Sequence, residues 1–333
     1  MNIKHRKTFL RNLVILLLLL SANAWAINAL GSPTLATPNK SLATTAQTTQ
    51  PHLYPVKIEH GQRRTVSGTI RSYALYIPQL NSSLPGPPYP LVVMVHGFLM
   101  SSNEQKYNAQ FLAQRGLIVL CPNMTKILLG SKIRDENVLD VVDQTKWLIE
   151  QSKLPTSPCY KLLDAKRTAI AGNSSGGAVC FEAALEAQKQ KIPFQAMCTM
   201  EGVPWDRTLD KVSALEPLQL LTLRAEPCLC NFHSNILKYV ERLKFPADDI
   251  KINGAHHCDA ENPTSLGCMS VCGTSHEKYR RLFQLVTYLY LKEVLKAPQM
   301  DGFNKSFIEE MEGMQKEGKV TAHLNNLQSR QIK

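Results

Sequence analysis

The sequence has few aromatic residues and comparatively little acid. Phe, Trp and Tyr make up 7% of its 333 residues, and 27 acidic side chains stand against 38 basic ones, a formal net charge of +11. The basic excess forms no block of five or six like charges and no interleaving with aromatics, so nucleic-acid binding is not expected. No internal repeat is visible, which excludes a solenoid. No apolar run reaches the roughly 18 residues that would span a bilayer. The longest, Leu13–Leu20, is broken at Ser21 and Asn23. Cysteine is absent before Cys121, so the leader carries no lipidation cysteine.

The leader itself is distinctive. Lys4, Arg6, Lys7 and Arg11 precede the aliphatic run, and Ala24-Trp25-Ala26 places small residues where a signal peptidase reads them. Residues 1–26 are therefore expected to be a cleaved signal peptide, with export to a periplasmic or extracellular compartment. Any membrane contact is expected to go through that segment alone. Residues 27–53, rich in Ala, Ser, Thr, Pro and Gln, are expected to be a flexible linker. From Tyr54 the texture changes. Short strands at Val56–Glu59 and Ser72–Ile77 lead into an alternation of apolar strands (Leu91–Val95, Leu117–Cys121, Thr168–Ala171, Phe194–Met200, Leu218–Leu223, Ile250–Ile252) with helices (Asn103–Arg115, Glu136–Gln151, Gly176–Gln190, Asn235–Leu243, His276–Lys296). That pattern predicts an α/β domain over 54–298 with a mostly parallel sheet covered on both faces. No connection is long enough for a cap domain. Residues 299–333 are expected to be a polar tail with a short helix near Phe307–Met314.

The chemistry concentrates at Gly172-Asn173-Ser174-Ser175-Gly176-Gly177, between a predicted strand and a predicted helix. A serine on a strand-to-helix turn needs a strained backbone, and glycines two residues to either side make room for it. Ser174 has that spacing, whereas Ser175 has Asn173 at the preceding glycine position. His96-Gly97-Phe98 ends the strand Leu91–Val95, where a hydrolase of this design places its second oxyanion donor, so the N–H groups of Phe98 and Ser175 are the candidate pair. His96 itself is expected to brace the loop. A base should follow late in the chain, and His256 and His257 come directly after the strand Ile250–Ile252. A metal reading of His256-His257-Cys258-Asp259 is disfavoured because adjacent ligands seldom point at one ion. No metal or organic cofactor is expected.

Leu91–Met124, the serine motif and Cys268–Leu295 together resemble the chlorophyllase family of the α/β-hydrolase fold, over most of residues 65–296. The sequence is also similar to secreted polyester hydrolases and cutinase-like enzymes, through Gly254-Ala255-His256-His257. Both resemblances imply His257 as the base. They differ over the acid. The chlorophyllases imply Glu201, at the end of Phe194–Met200. The polyester hydrolases imply the next strand end, where the matching residue is Cys228 and the nearest carboxylate is Glu226. Glu201 is preferred and Glu226 is the alternative. The chlorophyllase motif has His before and Arg after the nucleophile, where this chain has Asn173 and Ser175.

The implied activity is hydrolysis of carboxylic esters through an acyl-enzyme. Phe98, Leu99, Met100, Met124, Ile127–Leu129 and Trp205 suggest an apolar cleft for a small-molecule or lipid-like ester, with Leu99, Met100 and Trp205 as pocket residues. An acyltransferase with the same residues, or a secreted binding protein that kept the fold, are the alternatives. Of the nine cysteines, Cys121, Cys180 and Cys198 read as buried small hydrophobes. Cys228, Cys230, Cys258, Cys268 and Cys272 are the disulfide candidates. A bond from Cys258 to Cys228 or Cys230 and one to Cys268 or Cys272 are equally open.

Overall fold

The computed structural model describes residues 52–125, 131–192, 194–298 and 304–325. The expected signal peptide, nearly all of the expected linker, and Ile127–Leu129 lie outside the described residues.

Among the described residues, nine strands form one sheet: β1 (Val56–Arg64), β2 (Ile70–Pro78), β3 (Tyr89–Val95), β4 (Ile118–Pro122), β5 (Leu163–Asn173), β6 (Phe194–Met200), β7 (Gln219–Arg224), β8 (Asp248–Ile252) and β9 (Val320–Leu324). Their spatial order is β1-β2-β4-β3-β5-β6-β7-β8-β9. The stretch from β4 to β8 is parallel, and β1, β2 and β9 run antiparallel at the two edges. The central strands bear out the alternating strand-helix pattern: every residue of β3, β4 and β7 is buried. Continuous apolar runs suit strands covered on both faces.

Six helices longer than one turn are described: α1 (Lys106–Ala113), α2 (Ser131–Gln151), α3 (Ser175–Lys189), α4 (Leu266–Cys272), α5 (Glu277–Leu295) and α6 (Phe307–Lys316). α2 packs on α3, and α1 packs on α5. The chain steps outward from β3 to β4 and then returns past β3 to β5. Right-handed crossovers therefore put α1 and α2 on opposite faces. The loops after β3 and β5 meet at this reversal, at the carboxyl ends of the strands, where open α/β sheets build their sites.

Two expectations are corrected. The helix expected near Phe307–Met314 is present as α6, but the sheet does not end near residue 298, because the stretch expected to be a polar tail also carries β9. Its composition is polar, but Phe307, Met311 and Met314 recur at helical spacing and are buried, with Phe307 edge-to-face on Tyr290 at 5.4 Å. Val320 and Leu324 likewise face inward while β9 pairs with β8. One apolar stripe suffices to dock a mostly charged helix. The helix expected over Asn235–Leu243 shrinks to Leu237–Val240, because the flanking turns close through i→i−3 bonds, Lys238 N–H to the Asn235 carbonyl and Arg242 and Leu243 N–H to those of Tyr239 and Val240. Among the described residues, no helix is long and apolar enough to cross a membrane.

Candidate active site

Ser174 sits between β5 and α3 with φ 52° and ψ −128°, a conformation that side chains disfavour. Several hydrogen bonds hold it there. Its N–H donates to the Met200 carbonyl at 3.1 Å, and its own carbonyl accepts from Gly177 N–H at 3.0 Å and Val203 N–H at 2.8 Å. The surrounding glycines answer to close packing. A Cβ on Gly176 would stand 2.7 Å from the carbonyl oxygens of Val95 and His96, and one on Gly97 would stand 3.0 Å from Ser174 Cβ. The loop after β3 thus lies directly against the serine turn. The backbone carrying Phe98 N–H passes beside Ser174, and Ser175 N–H opens α3, where no intrahelical acceptor exists. The two segments that carry the expected oxyanion donors therefore adjoin Ser174.

His257 begins a single 3-10 turn, His257–Ala260, and is 5% exposed. The turn is fixed from two sides. Asp259 accepts from His256 N–H at 2.8 Å through one oxygen, and from the Ser275 hydroxyl at 2.9 Å and His276 N–H at 2.6 Å through the other. On the opposite side, Asn108 Nδ2 donates to the Ala260 carbonyl at 3.0 Å, and Asn262 N–H donates to the Glu104 carbonyl at 2.8 Å. His257 Nε2 then lies 3.1 Å from Ser174 Oγ, and Nδ1 lies 2.9 Å from Glu201 Oε2. If Nδ1–H donates to the carboxylate, Nε2 is left as the acceptor of the serine proton.

Glu201 ends β6 at φ 53° and is 1% exposed. A carboxylate that deep needs donors on both oxygens. Ala225 N–H donates to Oε1, and Asn231 Nδ2 donates to Oε2 at 2.9 Å alongside His257. The Glu226 carboxylate meets none of these groups, although Asn231 Nδ2 also donates to its backbone carbonyl at 2.9 Å. Its carboxylate is bound by Lys251 Nζ at 2.9 and 3.0 Å and by Gly254 N–H at 3.0 Å. Burial alone would raise its pKa, but those two donors hold it below the usual carboxylate range. Of the two expected acids, only Glu201 reaches His257.

The remaining expected residues divide. His96 is a brace: Nε2 accepts from Met124 N–H at 2.9 Å, and Nδ1 lies 2.9 Å from the Gly97 carbonyl. Met100 is buried against the serine turn, its sulfur 3.5 Å from Asn173 Nδ2, and Leu99 is half-buried with left-handed backbone. Trp205 is mostly buried, with the guanidinium groups of Arg134 and Arg207 at 5.0 and 5.2 Å from its ring. The Ser175 hydroxyl is buried without a hydrogen-bond partner.

Three features escaped the sequence. Asn231 orders the acid, and nothing in its spacing marks it. A buried amide chain runs from Asn173 Oδ1 to Gln105 Nε2 at 2.8 Å, then from Gln105 Oε1 to Asn108 Nδ2 at 3.0 Å, tying the serine turn to the histidine turn. Glu261 is fully buried, with Oε1 unpartnered and Oε2 accepting from Ser265 N–H at 3.0 Å. Burial pushes its carboxyl up to about 7.

Disulfides join Cys258 to Cys268 and Cys230 to Cys272, with Cα–Cα distances of 5.8 and 5.7 Å. The bond from Cys258 to Cys228 or Cys230 is not formed. Cys258 pairs within its own loop, and Cys228 remains a half-buried thiol. Among the described residues, the only group of three or more ligand-type side chains close enough to share an ion is Cys258, Cys268 and Cys272, whose sulfurs lie within 4.8 Å of one another.

No curated protein sequence matches the chain. The chlorophyllase family model does, over residues 56–229, a span that contains Ser174, Glu201 and Glu226 and stops short of His257. That span is more than half of the chain, and with the mostly parallel sheet described above it shows that the chain belongs to the chlorophyllase family, within the α/β-hydrolase superfamily.

Proposed function

We propose that this protein is an exported serine hydrolase that cleaves carboxylic esters of apolar acids or alcohols through an acyl-enzyme. The observation that carries the reading is the unbroken path from Ser174 Oγ through both nitrogens of His257 to the buried Glu201 carboxylate, 3.1 and 2.9 Å long at its two steps. His257 Nε2 takes the serine proton as Oγ attacks the ester carbonyl. The carbonyl oxygen becomes an oxyanion between Phe98 N–H and Ser175 N–H, and the alcohol leaves with the proton from His257. Water, activated by the same imidazole, then releases the acid. Glu201 fixes the tautomer and steadies the imidazolium that forms at each step, without itself taking the proton.

Backbone strain supports the same reading. Ser174 holds φ 52° and ψ −128° without being glycine, a cost on the order of 1–3 kcal/mol that a purely structural role does not require. The loop that carries Phe98, Leu99 and Met100 packs on the serine turn, and its apolar composition favours a hydrophobic acyl chain or alcohol. A basic, apolar leader and two disulfides in the catalytic half fit export.

A fluorophosphonate probe tests the assignment directly. Labelling is expected on Ser174 and is lost in Ser174→Ala but kept in Ser175→Ala. A panel of p-nitrophenyl esters, chlorophyll and a polyester film then identifies the leaving alcohol and acyl length. Full esterase activity in Ser174→Ala would overturn the mechanism.

A further inference from the structure

Ser174 and His257 stand beyond the ends of β5 and β8, which are separated in the sheet by β6 and β7. The segment that opens α1 spans the two loops. A 3-10 turn, Ser102–Gln105, leads straight into that helix. Its start is fixed by Ser101, whose N–H and hydroxyl donate to Glu104 Oε2 at 2.7 and 2.8 Å, and by Ser102 N–H, which donates to Asn123 Oδ1 at 2.6 Å. From there the backbone grips the histidine loop twice. The Glu104 carbonyl accepts from Asn262 N–H at 2.8 Å, and Tyr107 N–H donates to the Asn262 carbonyl at 2.9 Å. Gln105, fully buried, reaches the other way, to the residue before Ser174.

One carbonyl sets the polarity of the buried amides. The Ala260 oxygen can only accept, so Asn108 must turn Nδ2 toward it, at 3.0 Å. The same NH2 group donates to Gln105 Oε1 at 3.0 Å, which leaves Gln105 Nε2 to donate to Asn173 Oδ1 at 2.8 Å. Asn173 Nδ2 then faces the Met100 sulfur at 3.5 Å, in the loop packed on the serine turn. Three amides, none more than 4% exposed, are thus oriented in series from the histidine turn to the serine turn. Burial of a glutamine does not by itself produce such a chain. Gln144 on α2 is equally buried, and among the described residues neither atom of its amide has a hydrogen-bond partner.

We propose that Gln105 is a positioning residue that, through Asn108 and Asn173, sets the distance from His257 Nε2 to Ser174 Oγ. The proposal rests on the hydrolase reading above. Gln105 acts through its two neighbours, and its amide ties together the two turns whose side chains exchange the proton. A misplacement of about 1 Å between reacting groups costs on the order of 100-fold in rate. The loss falls on kcat, because the chain holds the proton path and not the substrate.

The test measures kcat, KM and the rate of fluorophosphonate labelling on the full chain. Gln105→Leu should lower kcat and the labelling rate about 10–100-fold, with KM within a few-fold of wild type. Gln144→Leu, the same exchange at the unpartnered amide, should leave all three unchanged. Gln105→Glu keeps the question open to experiment if Gln105→Leu does not fold, and it gives a readout that lost packing alone does not. A protonated carboxyl at that position still donates to Asn173 and accepts from Asn108, whereas ionisation removes the donor. Its kcat relative to wild type should therefore be near one at about pH 5 and fall roughly 10-fold or more by about pH 9, past the raised pKa of a buried carboxyl. A flat ratio across that range, wild-type kcat in Gln105→Leu, a change confined to KM, or an equal loss in Gln144→Leu each overturns the positioning role and leaves the hydrolase reading standing. A wild-type chain that neither labels nor hydrolyses esters overturns both.

Discussion

The ends of β6 and β7 look alike in sequence and behave differently in the folded protein. Each carries a glutamate just past an apolar strand, and the strands are neighbours running the same way. At the end of β6, Glu201 is buried, left-handed in backbone, and bound by Ala225 N–H, Asn231 and His257. At the end of β7, Glu226 is half-exposed and ion-paired with Lys251. The first carboxylate is ordered by neutral donors that leave one lone pair for the imidazole. The second is neutralised by a cation and a loop N–H. A strand end supplies a position, and the donors around it decide whether a carboxylate there can orient a base or only close a surface ion pair.

The largest effect expected lies outside this pair, on the proton path it serves. Ser174→Ala and His257→Ala should each lower kcat by about 10⁵-fold or more on p-nitrophenyl esters, with His256→Ala within a few-fold of wild type. A larger loss at His256 would detach Glu201 from the reaction altogether. Next comes the comparison itself. Glu201→Gln should cost on the order of 10⁴-fold in kcat, since an amide there holds the wrong imidazole tautomer. Glu226→Gln should change it only a few-fold, and equal losses would break the distinction.

Asn231→Ala sharpens it further by removing one donor from Glu201 while leaving the carboxylate in place. A lost hydrogen bond to a charged group predicts roughly a 10–100-fold fall in kcat with little change in KM. A change confined to KM would move Asn231 from ordering the acid to shaping the pocket.

The smallest effect concerns stability. Glu261 is a buried carboxyl that lacks a full set of donors. Its folded pKa is about 7 against 4.5 for the free group. The native state therefore holds the proton more tightly than the unfolded chain, and stability falls as pH rises between those two values. Above pH 7 the penalty is roughly 3 kcal/mol. Glu261→Gln should raise Tm at pH 8 and change it little at pH 4. A uniform shift at both would show that the carboxyl is not the source.

Much of this was legible in the residues. The alternation of β-branched runs with helical segments gave the layered α/β architecture, because strand burial on both faces leaves a continuous apolar signature. Gly172 and Gly176 around Ser174 marked the nucleophile, since close backbone approach excludes a side chain there. The last strand left little trace in the sequence, because β9 buries only Val320 and Leu324 while it pairs with β8.

The sequence by itself determined the fold class, the candidate nucleophile and its neighbouring oxyanion loop, all of which follow from local spacing and backbone sterics. The tertiary structure alone brings Glu201 rather than Glu226 to His257, adds Asn231 beside it, and joins Cys230 to Cys272. Those outcomes depend on which donors and thiols from distant segments arrive at one point. Residues 30 or more positions apart leave no periodicity for the sequence to reveal.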